Sequence, residues 1–279
     1  MPLELTVSRI AANLDRLPAF PPLIAELIGL LDDDEVNMVT LARKVERDPV
    51  LTGRILYAAN GLLRLDYRAD ARDVYTAASY IGFARIRDIV FAASIANYIN
   101  KFKHNPSFWK HCLTAGIAAQ ELARNTNVHP SHALIAGLLH DIGWLWMFYF
   151  HPFESQQVRL RLEVHNEPVL DVEHSMFGVN HCIIGQQIAQ YWKLPQEIVA
   201  AIAHHHIPSE TAANDALTAI THLAENIVNA LDIPCRDDNQ VQYVSATACR
   251  TLGIDRVEDF FPILGSIEAR CKYLTILFH

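Results

Sequence analysis

The sequence predicts an all-α protein, with a multi-helix core and an N-terminal helical lobe. Apolar residues recur at three- and four-residue steps along almost all of the 279 residues, and no long stretch alternates strictly between apolar and polar residues. Apolar residues three and four positions apart lie on one face of a helix, and the absence of alternation argues against half-exposed strands. Hydrophobic residues make up 51% of the chain and charged residues 19%, so the chain has enough apolar surface to bury a core.

The N-terminal lobe is predicted over residues 1–100. Its helices are expected at about 4–15, 22–31, 40–46, 50–59, 71–80 and 84–100. Pro22 and Pro49 each open a helix, because proline suits the first helical turn. Asn60-Gly61 predicts the end of the fourth helix and a loop over 62–70. Gly82 separates the last two helices of this lobe.

A helical core is predicted over 106–232, followed by C-terminal helices that pack on it over 238–279. Residues 101–106 are basic, polar and proline-ended, and they read as a linker between the lobe and the core. Beyond this linker, helical spacing predicts helices at 108–125, 131–150, 152–165, 179–192, 195–204, 212–231, 240–252 and 255–278.

Composition excludes several classes of function. The formal charge of −8 does not suit the phosphate backbone of nucleic acid or an anionic membrane surface, since both attract clustered Lys and Arg. The five cysteines show no CxxC spacing and the chain does not open with a secretory signal, which predicts reduced thiols in the cytoplasm. No phosphate-binding GxxxxGK[ST] loop, GxGxxG turn or GxSxG nucleophile motif is present.

The central apolar run contains an ionisable pair. His140-Asp141 interrupts the segment ALIAGLLHDIGWLWMFYF, residues 133–150, which is too short for an uninterrupted membrane span of about 20 residues. Burying a carboxylate beside an imidazole is costly unless both find partners. A divalent metal ion is one such partner, and a plain buried hydrogen bond is the other, so the pair alone leaves both readings open.

Four apolar helices each carry a histidine. The relevant pieces are Trp109-Lys110-His111, His140-Asp141-Ile142-Gly143, His181-Cys182-Ile183-Ile184-Gly185 and the run His204-His205-His206. Taken singly, each histidine is more often a core or surface residue than a ligand. Taken together, imidazoles delivered from the apolar faces of several helices are the way in which helical bundles assemble metal sites.

These pieces, together with the N-terminal segment, resemble the HDOD family. LPAFPPLIAELIGLLDDDEVNMVTLARKVERDPVLTGRILYAAN, residues 17–60, is similar to the opening of HDOD domains, and WKH, AGLLHDIG, NHCIIG, YWKLP and AIAHHH follow in the family's order. The resemblance extends over about residues 17–229. It implies an all-α fold whose N-terminal lobe packs on a core related to HD-type metal-dependent phosphohydrolases and to HD-GYP cyclic-di-GMP phosphodiesterases.

The same resemblance implies the site residues. His111, His140, Asp141, His181, His204 and His205 are the metal ligands that it implies, with Asp141 and His140 also as catalytic residues. The cofactor would be a divalent metal ion (Fe, Mn, Zn or Mg), supporting metal-assisted hydrolysis of a phosphoester in which an imidazole protonates the leaving oxygen. Glu173 stands where related enzymes have an acidic residue ahead of the third histidine.

Three departures from the enzymes of this group favour a degenerate site. Trp144 replaces the Lys that follows Ile-Gly in HD-GYP enzymes, and no Gly-Tyr-Pro loop follows the histidine run. The core's final Asp has no clean counterpart, because only Glu225, Asn226 and His222 are available in the expected helix. A missing final ligand would leave the site partly filled, with a single metal or with none.

Two functions therefore compete. The first is an HDOD signalling or regulatory module, acting alone or through partners, in which the core is catalytically silent and binds signalling proteins. The alternative is a metal-dependent phosphohydrolase acting on a nucleotide or other phosphoester. The sequence leaves a homodimer open and names neither the metal nor the ligand.

Overall fold

The computed structural model describes residues 4–29, 38–102, 106–165, 167–206, 215–232, 244–254, 259 and 261–277. These residues are all-α, as predicted, and contain no strand. They fall into two compact units: the first comprises Met1–Ala19 with Phe102–Glu268, and the second comprises Phe20–Lys101 with Ala269–His279. The division into 1–100, 106–232 and 238–279 stays a prediction.

The helices in chain order are α1 (Val7–Ala11), α2 (Pro22–Gly29), α3 (Met38–Val45), α4 (Pro49–Leu65), α5 (Val74–Ile81), α6 (Phe83–Asn100), α7 (Pro106–Ala123), α8 (Pro130–Leu139), α9 (Ile142–Phe150), α10 (Pro152–His165), α11 (Val169–Phe177), α12 (His181–Tyr191), α13 (Gln196–His204), α14 (Ala216–Ala230), α15 (Ala246–Thr251) and α16 (Phe261–Leu277). A short 3-10 turn, Leu14–Arg16, follows α1. The predicted helix ends at 30–31, 212–214, 240–243, 255–258 and 278, and the linker residues 103–105, lie outside the described residues.

In the second unit, α4 and α5 pack against α6, which is buried along most of its length. Here the predicted end of α4 at Asn60-Gly61 is wrong, because the helix continues to Leu65. Asn60 makes a tertiary contact instead: its side chain accepts a hydrogen bond from the backbone N–H of Ala71 at 2.7 Å and donates one to the carbonyl of the same residue at 3.0 Å. The predicted break at Gly82 is present, with φ at 93°.

In the first unit, α7, α8, α13 and α14 surround the apolar centre. Glycines allow the helix backbones to approach closely. A Cβ on Gly137 would lie 2.7 Å from the carbonyl oxygen of Ala115 on α7, and a Cβ on Gly143 would lie 2.0 Å from the carbonyl oxygen of His181 on α12. These crossings bring α7, α8, α9 and α12 together at the level of their histidines.

Two predicted helices of this unit differ in the structure. The segment predicted as one helix over 131–150 is two, α8 and α9, which meet at His140-Asp141, where Asp141 leaves the helical conformation (φ −95°, ψ 15°). Helix α11 was not predicted; it is short and begins after Pro168.

Among the described residues, Pro130–Phe150 is long and apolar enough to cross a membrane, but its most apolar part is 83% buried inside the protein. A buried core helix meets the same criterion.

Candidate metal centre

Six helices or helix ends deliver ionisable side chains to one buried cluster. The cluster comprises His111 on α7, His140 and Asp141 between α8 and α9, His181 at the start of α12, His205 and His206 after α13, and Glu225 on α14. The imidazoles of His111, His140, His181 and His205 are fully buried, and Asp141 and Glu225 are 3% and 6% exposed. His206 is half-buried.

The break between α8 and α9 lets two neighbouring residues face the same point. In a regular helix, adjacent side chains diverge by about 100°. Because Asp141 leaves the helical conformation, its carboxylate turns back toward the preceding side chain, and Oδ2 lies 3.4 Å from Nε2 of His140.

The first ligand group surrounds Oδ2 of Asp141. Nε2 of His111 lies 3.5 Å from this oxygen and 3.2 Å from Nε2 of His140. The ligand atoms of His111, His140 and Asp141 lie within 4.8 Å of one another. Glu225 contacts two of these residues, since its Oε2 lies 2.9 Å from Nε2 of His111 and 3.0 Å from Nε2 of His140.

The second ligand group surrounds the other oxygen of the same carboxylate. Oδ1 of Asp141 lies 3.3 Å from Nε2 of His181 and 3.6 Å from Nε2 of His205, and the two nitrogens are 3.3 Å apart. His206 belongs to this group, in which one ligand atom of every member lies within 4.8 Å of the others. Asp141 therefore stands between two groups, with one oxygen directed at each.

The hydrogen bonds of the imidazoles direct their Nε2 lone pairs into the cluster. Nδ1 of His140 donates to the carbonyl oxygen of Gly137 at 2.7 Å, and Nδ1 of His205 donates to that of Ile202 at 2.8 Å. Nδ1 of His181 donates to the carboxylate of Glu173 at 2.7 Å. A neutral imidazole that donates from Nδ1 carries its lone pair on Nε2, so these three rings point electron pairs at one another and at the carboxylates.

Such an arrangement needs positive charge at its centre. Oδ1 of Asp141 and Oε2 of Glu225 make no hydrogen bond within the described part of the chain, although imidazole nitrogens lie close to both. Burial alone would lower the pKa of His140, but Asp141 and Glu225 raise it above its usual value. Burial would likewise raise the pKa of both carboxyls, yet the facing imidazoles hold them well below their usual range. The directions of these shifts favour ionised carboxylates that face positive charge, which protons on the imidazoles supply here and which a bound metal ion would supply in their place.

The spacing of the donor atoms fits a divalent metal ion. Ligands at about 2.0–2.2 Å from one ion lie roughly 2.8–3.6 Å from each other, according to whether the geometry is octahedral or tetrahedral. The donor-to-donor contacts given above run from 2.9 to 3.6 Å. Ligating histidines also commonly donate their second ring nitrogen to a carbonyl or a carboxylate, as three of these do. The residues present therefore could hold metal ions in both groups.

Comparison with known proteins gives the family. The family model described as "HDOD domain" matches residues 17–208. The chain belongs to the HDOD family. Similar structures include a provisionally named phosphohydrolase from Shewanella amazonensis SB2B (22% identity, 97% of this chain and 98% of that one, TM-score 0.74). A provisionally named signal transduction protein from Marinobacter aquaeolei VT8 is similar as well (20% identity, 98% and 62% covered, TM-score 0.75).

A curated relative extends beyond the matched region. It is an uncharacterized protein from Treponema pallidum (strain Nichols), 21% identical over 227 residues that make up 80% of this chain. The chain spans 44% of that relative's length. At these identities the similar structures establish the HDOD fold and not an activity.

The structure of this HDOD protein changes the ligand set inferred from sequence in one place. His204 is the last residue of α13 and its side chain is exposed, so it does not reach the cluster. His205, which was predicted, and His206, which was not, follow the helix end and face the cluster. The other five sequence-predicted ligands, His111, His140, Asp141, His181 and His205, do converge; their binding of metal stays a prediction.

His206 was not among the ligands that the sequence implied, and the final acidic ligand had no clean counterpart in the sequence. Glu225 lies at that place, in contact with His111 and His140. Its side chain is one methylene longer than the expected Asp, which lets it reach the cluster from α14. The helical spacing around Glu225 and the histidine run after α13 were the available signals for both residues.

Side chains around the second group restrain His181. Glu173 on α11 binds both its backbone N–H and its ring, and Trp144 stacks on the imidazole with ring centres 5.7 Å apart. Sγ of Cys182 lies 3.5 Å from Nε2 of His181 but outside both ligand groups. Cys182 and Trp144 are both buried.

Proposed function

We propose that this HDOD protein is a signalling module whose core binds two divalent metal ions and hydrolyses a phosphoester. The observation that carries the proposal is the position of Asp141, whose Oδ2 faces His111 and His140 while its Oδ1 faces His181 and His205. A carboxylate that offers one oxygen to each of two histidine pairs is suited to bridge two metal ions, as in two-metal hydrolases.

Glu225 removes the main reason for expecting a degenerate site. Of the three departures behind that expectation, the one that bears on metal binding was a missing final acidic ligand, and the carboxylate of Glu225 contacts both His111 and His140. Each group then offers at least one carboxylate oxygen and two imidazoles.

The roles of the residues follow from the arrangement. Asp141 and Glu225 supply the negative charge that retains the cations, and the imidazoles complete each group. The metal ions would supply a nucleophile at neutral pH and polarise the phosphoryl oxygens. In the second group His181 and His205 would hold the ion, and His206, which is less buried than the other imidazoles, would exchange a proton with a leaving oxygen.

The inferred cofactor and partners remain part of the proposal. Histidine nitrogen and carboxylate oxygen suit Zn, Mn or Fe better than Mg, which prefers oxygen ligands and several waters. A nucleotide or another small phosphoester is the proposed ligand, signalling proteins are the proposed partners, and the cytoplasm of a bacterium is the proposed compartment. The names of the similar phosphohydrolase and signal transduction proteins support this combination.

A silent regulatory module is the second candidate, and one observation favours it. Asp141 and its imidazoles are almost entirely buried, and Trp144 covers one face of His181. A closed centre of this kind would bind metal as a structural or sensing element and would transmit its state to a partner without turnover.

Metal analysis followed by a phosphatase and cyclic-nucleotide screen distinguishes the two. Protein purified without chelator is expected to carry two ions per chain and to hydrolyse a phosphoester, and Asp141→Ala is expected to lose both. Asp171→Asn, an exposed carboxylate on α11, is the matched control and should retain both. Bound metal without turnover would select the silent module, whereas wild-type protein without bound metal would refute the metal centre itself.

A further inference from the structure

The backbone that carries His205 and His206 lies beyond the last hydrogen bonds of α13. The helix ends at His204, so the carbonyl groups of its last turn have no partner within the helix. His205 is fully buried, where a carbonyl without a donor is costly. Some group outside α13 must therefore satisfy this carbonyl and fix the direction in which the chain leaves the helix.

His222 supplies that group. Its Nδ1 lies 2.6 Å from the carbonyl oxygen of His205, and its Nε2 lies 2.9 Å from the backbone nitrogen of Ser245. A carbonyl can only accept and an amide N–H can only donate, so the ring is the neutral tautomer with its proton on Nδ1. Both ring nitrogens thus bind backbone groups, and His222 is not a ligand, although it lies one helical turn before Glu225 on α14.

The bond to Ser245 extends the connection to a C-terminal helix. Ser245 is the N-cap of α15, and its hydroxyl accepts a hydrogen bond from the backbone N–H of Ala248 at 3.2 Å. His222 and Ser245 both lie outside the region that matches the family model, residues 17–208. One buried imidazole therefore joins the cap of α15 to the main chain of a residue in the second ligand group.

We infer that His222 is a positioning residue that orients His205 and His206 toward Asp141, with Ser245 holding its ring in place. This inference rests on the metal-binding part of the proposed function. Without His222, the main chain at residues 205 and 206 would lose its fixed direction, and the second group would bind metal less tightly. The first group would be unaffected, because His111, His140 and Glu225 are held by α7, α8 and α14.

The test measures metal binding at each group in His222 variants of the full chain. In His222→Ala, the affinity for the second ion is expected to fall by about 10- to 100-fold, the range seen when outer partners of metal ligands are removed, while the first ion is retained. His222→Asn should restore much of the loss, since its amide nitrogen stands near the place of Nδ1 and can donate to the His205 carbonyl. Thr221→Val, which removes a hydroxyl that only bonds within α14, is the control for general damage to the helix.

Equal binding of both ions by His222→Ala and wild type would overturn the inference, as would an equal loss of both ions in His222→Ala and Thr221→Val. If wild-type protein binds no metal, the proposed function fails separately. NMR then decides on the positioning role: exchange of the Ser245 amide and the ring resonances of His205 should change in His222→Ala, and unchanged spectra would refute it.

Discussion

Glu173 binds His181 at two points. Its Oε2 accepts a hydrogen bond from the backbone N–H of His181 at 2.8 Å, and its Oε1 accepts one from Nδ1 of the ring at 2.7 Å. Both side chains are fully buried. The carboxylate thereby fixes both the start of α12 and the orientation of the ring whose Nε2 faces Asp141, a carboxylate–histidine pairing that is common behind metal ligands.

Glu173→Gln should weaken the second metal group selectively. An amide can accept only one of the two hydrogen bonds and presents an N–H to the other donor, so the ring of His181 would lose its fixed orientation. We expect metal affinity at this group to fall by about 10- to 100-fold, with the group of His111 and His140 unchanged. Titration with Mn²⁺ or Zn²⁺ measures this. Glu163→Gln, a partly exposed carboxylate paired with Arg159 on α10, is the control, and a similar loss there would contradict the specific role.

Glu225 and Asp141 should differ in how many ions they retain. Of the imidazoles in the cluster, Glu225 contacts those of His111 and His140, whereas Asp141 faces both groups. We therefore expect Glu225→Gln to lose about one ion per chain and Asp141→Asn to lose both. Elemental analysis of the purified variants gives the count. Loss of both ions in Glu225→Gln would indicate that the two groups bind metal only as a unit.

Gly143 should tolerate no side chain, because the backbones of α9 and α12 meet there. A Cβ would lie 2.0 Å from the carbonyl oxygen of His181, and only movement of one helix could relieve the overlap. Gly143→Ala is expected to cost about 1–3 kcal/mol or more in the free energy of unfolding, with loss of metal binding at His181. Gly53→Ala is the matched control: nothing lies within 4 Å of its Cβ position, so helix α4 should gain about 0.5–1 kcal/mol. Denaturant unfolding measures both, and equal effects would show that the crossing is not tight.

The sequence allowed the fold class and most of the cluster to be predicted, because both depend on local patterns. Apolar periodicity identifies helices, and the pieces around His111, His140 and His181 are short motifs within them. The conformation at His140-Asp141 was not predicted, since a continuous helical pattern over 131–150 does not reveal a one-residue departure from helical dihedrals. The extent of α4 was not predicted either, because Asn60 bonds with Ala71 in place of ending the helix.

The remaining site residues depend on tertiary structure. The end of α13 could not be located within the histidine run: the helix ends at His204, and the chain then turns so that His205 and His206 face the cluster. The sequence offered Glu225 as one of several polar residues of its helix, but its own segment could not decide that it contacts His111 and His140, because its reach depends on how α14 packs beside α7 and α8. The role of His222 depends on two backbone groups, at 205 and 245, that are distant from it in sequence.

Asp73 provides a test of pH dependence away from the metal centre. It is the N-cap of α5, and its carboxylate accepts hydrogen bonds from the backbone N–H of Thr76 at 2.6 Å and from the Thr76 hydroxyl at 2.7 Å. These bonds, the backbone one first, lower its pKa below the ordinary value of 3.8. A lowered folded pKa means that the cap contributes fully above this ordinary value and is lost as the pH falls through the folded pKa.

Asp73→Ala should therefore cost about 1 kcal/mol at neutral pH, and less as the pH falls below the folded pKa of Asp73. Asp73→Asn keeps an oxygen that caps the helix but does not titrate, so its stability relative to wild type should rise in acid. Urea unfolding of the three proteins across the acidic range measures these differences, and comparison between variants cancels the titration of all other groups. If the difference in the free energy of unfolding between Asp73→Asn and wild type does not change with pH, the charge of the Asp73 carboxylate adds nothing to the cap. The two Thr76 contacts would then contribute no more than neutral hydrogen bonds.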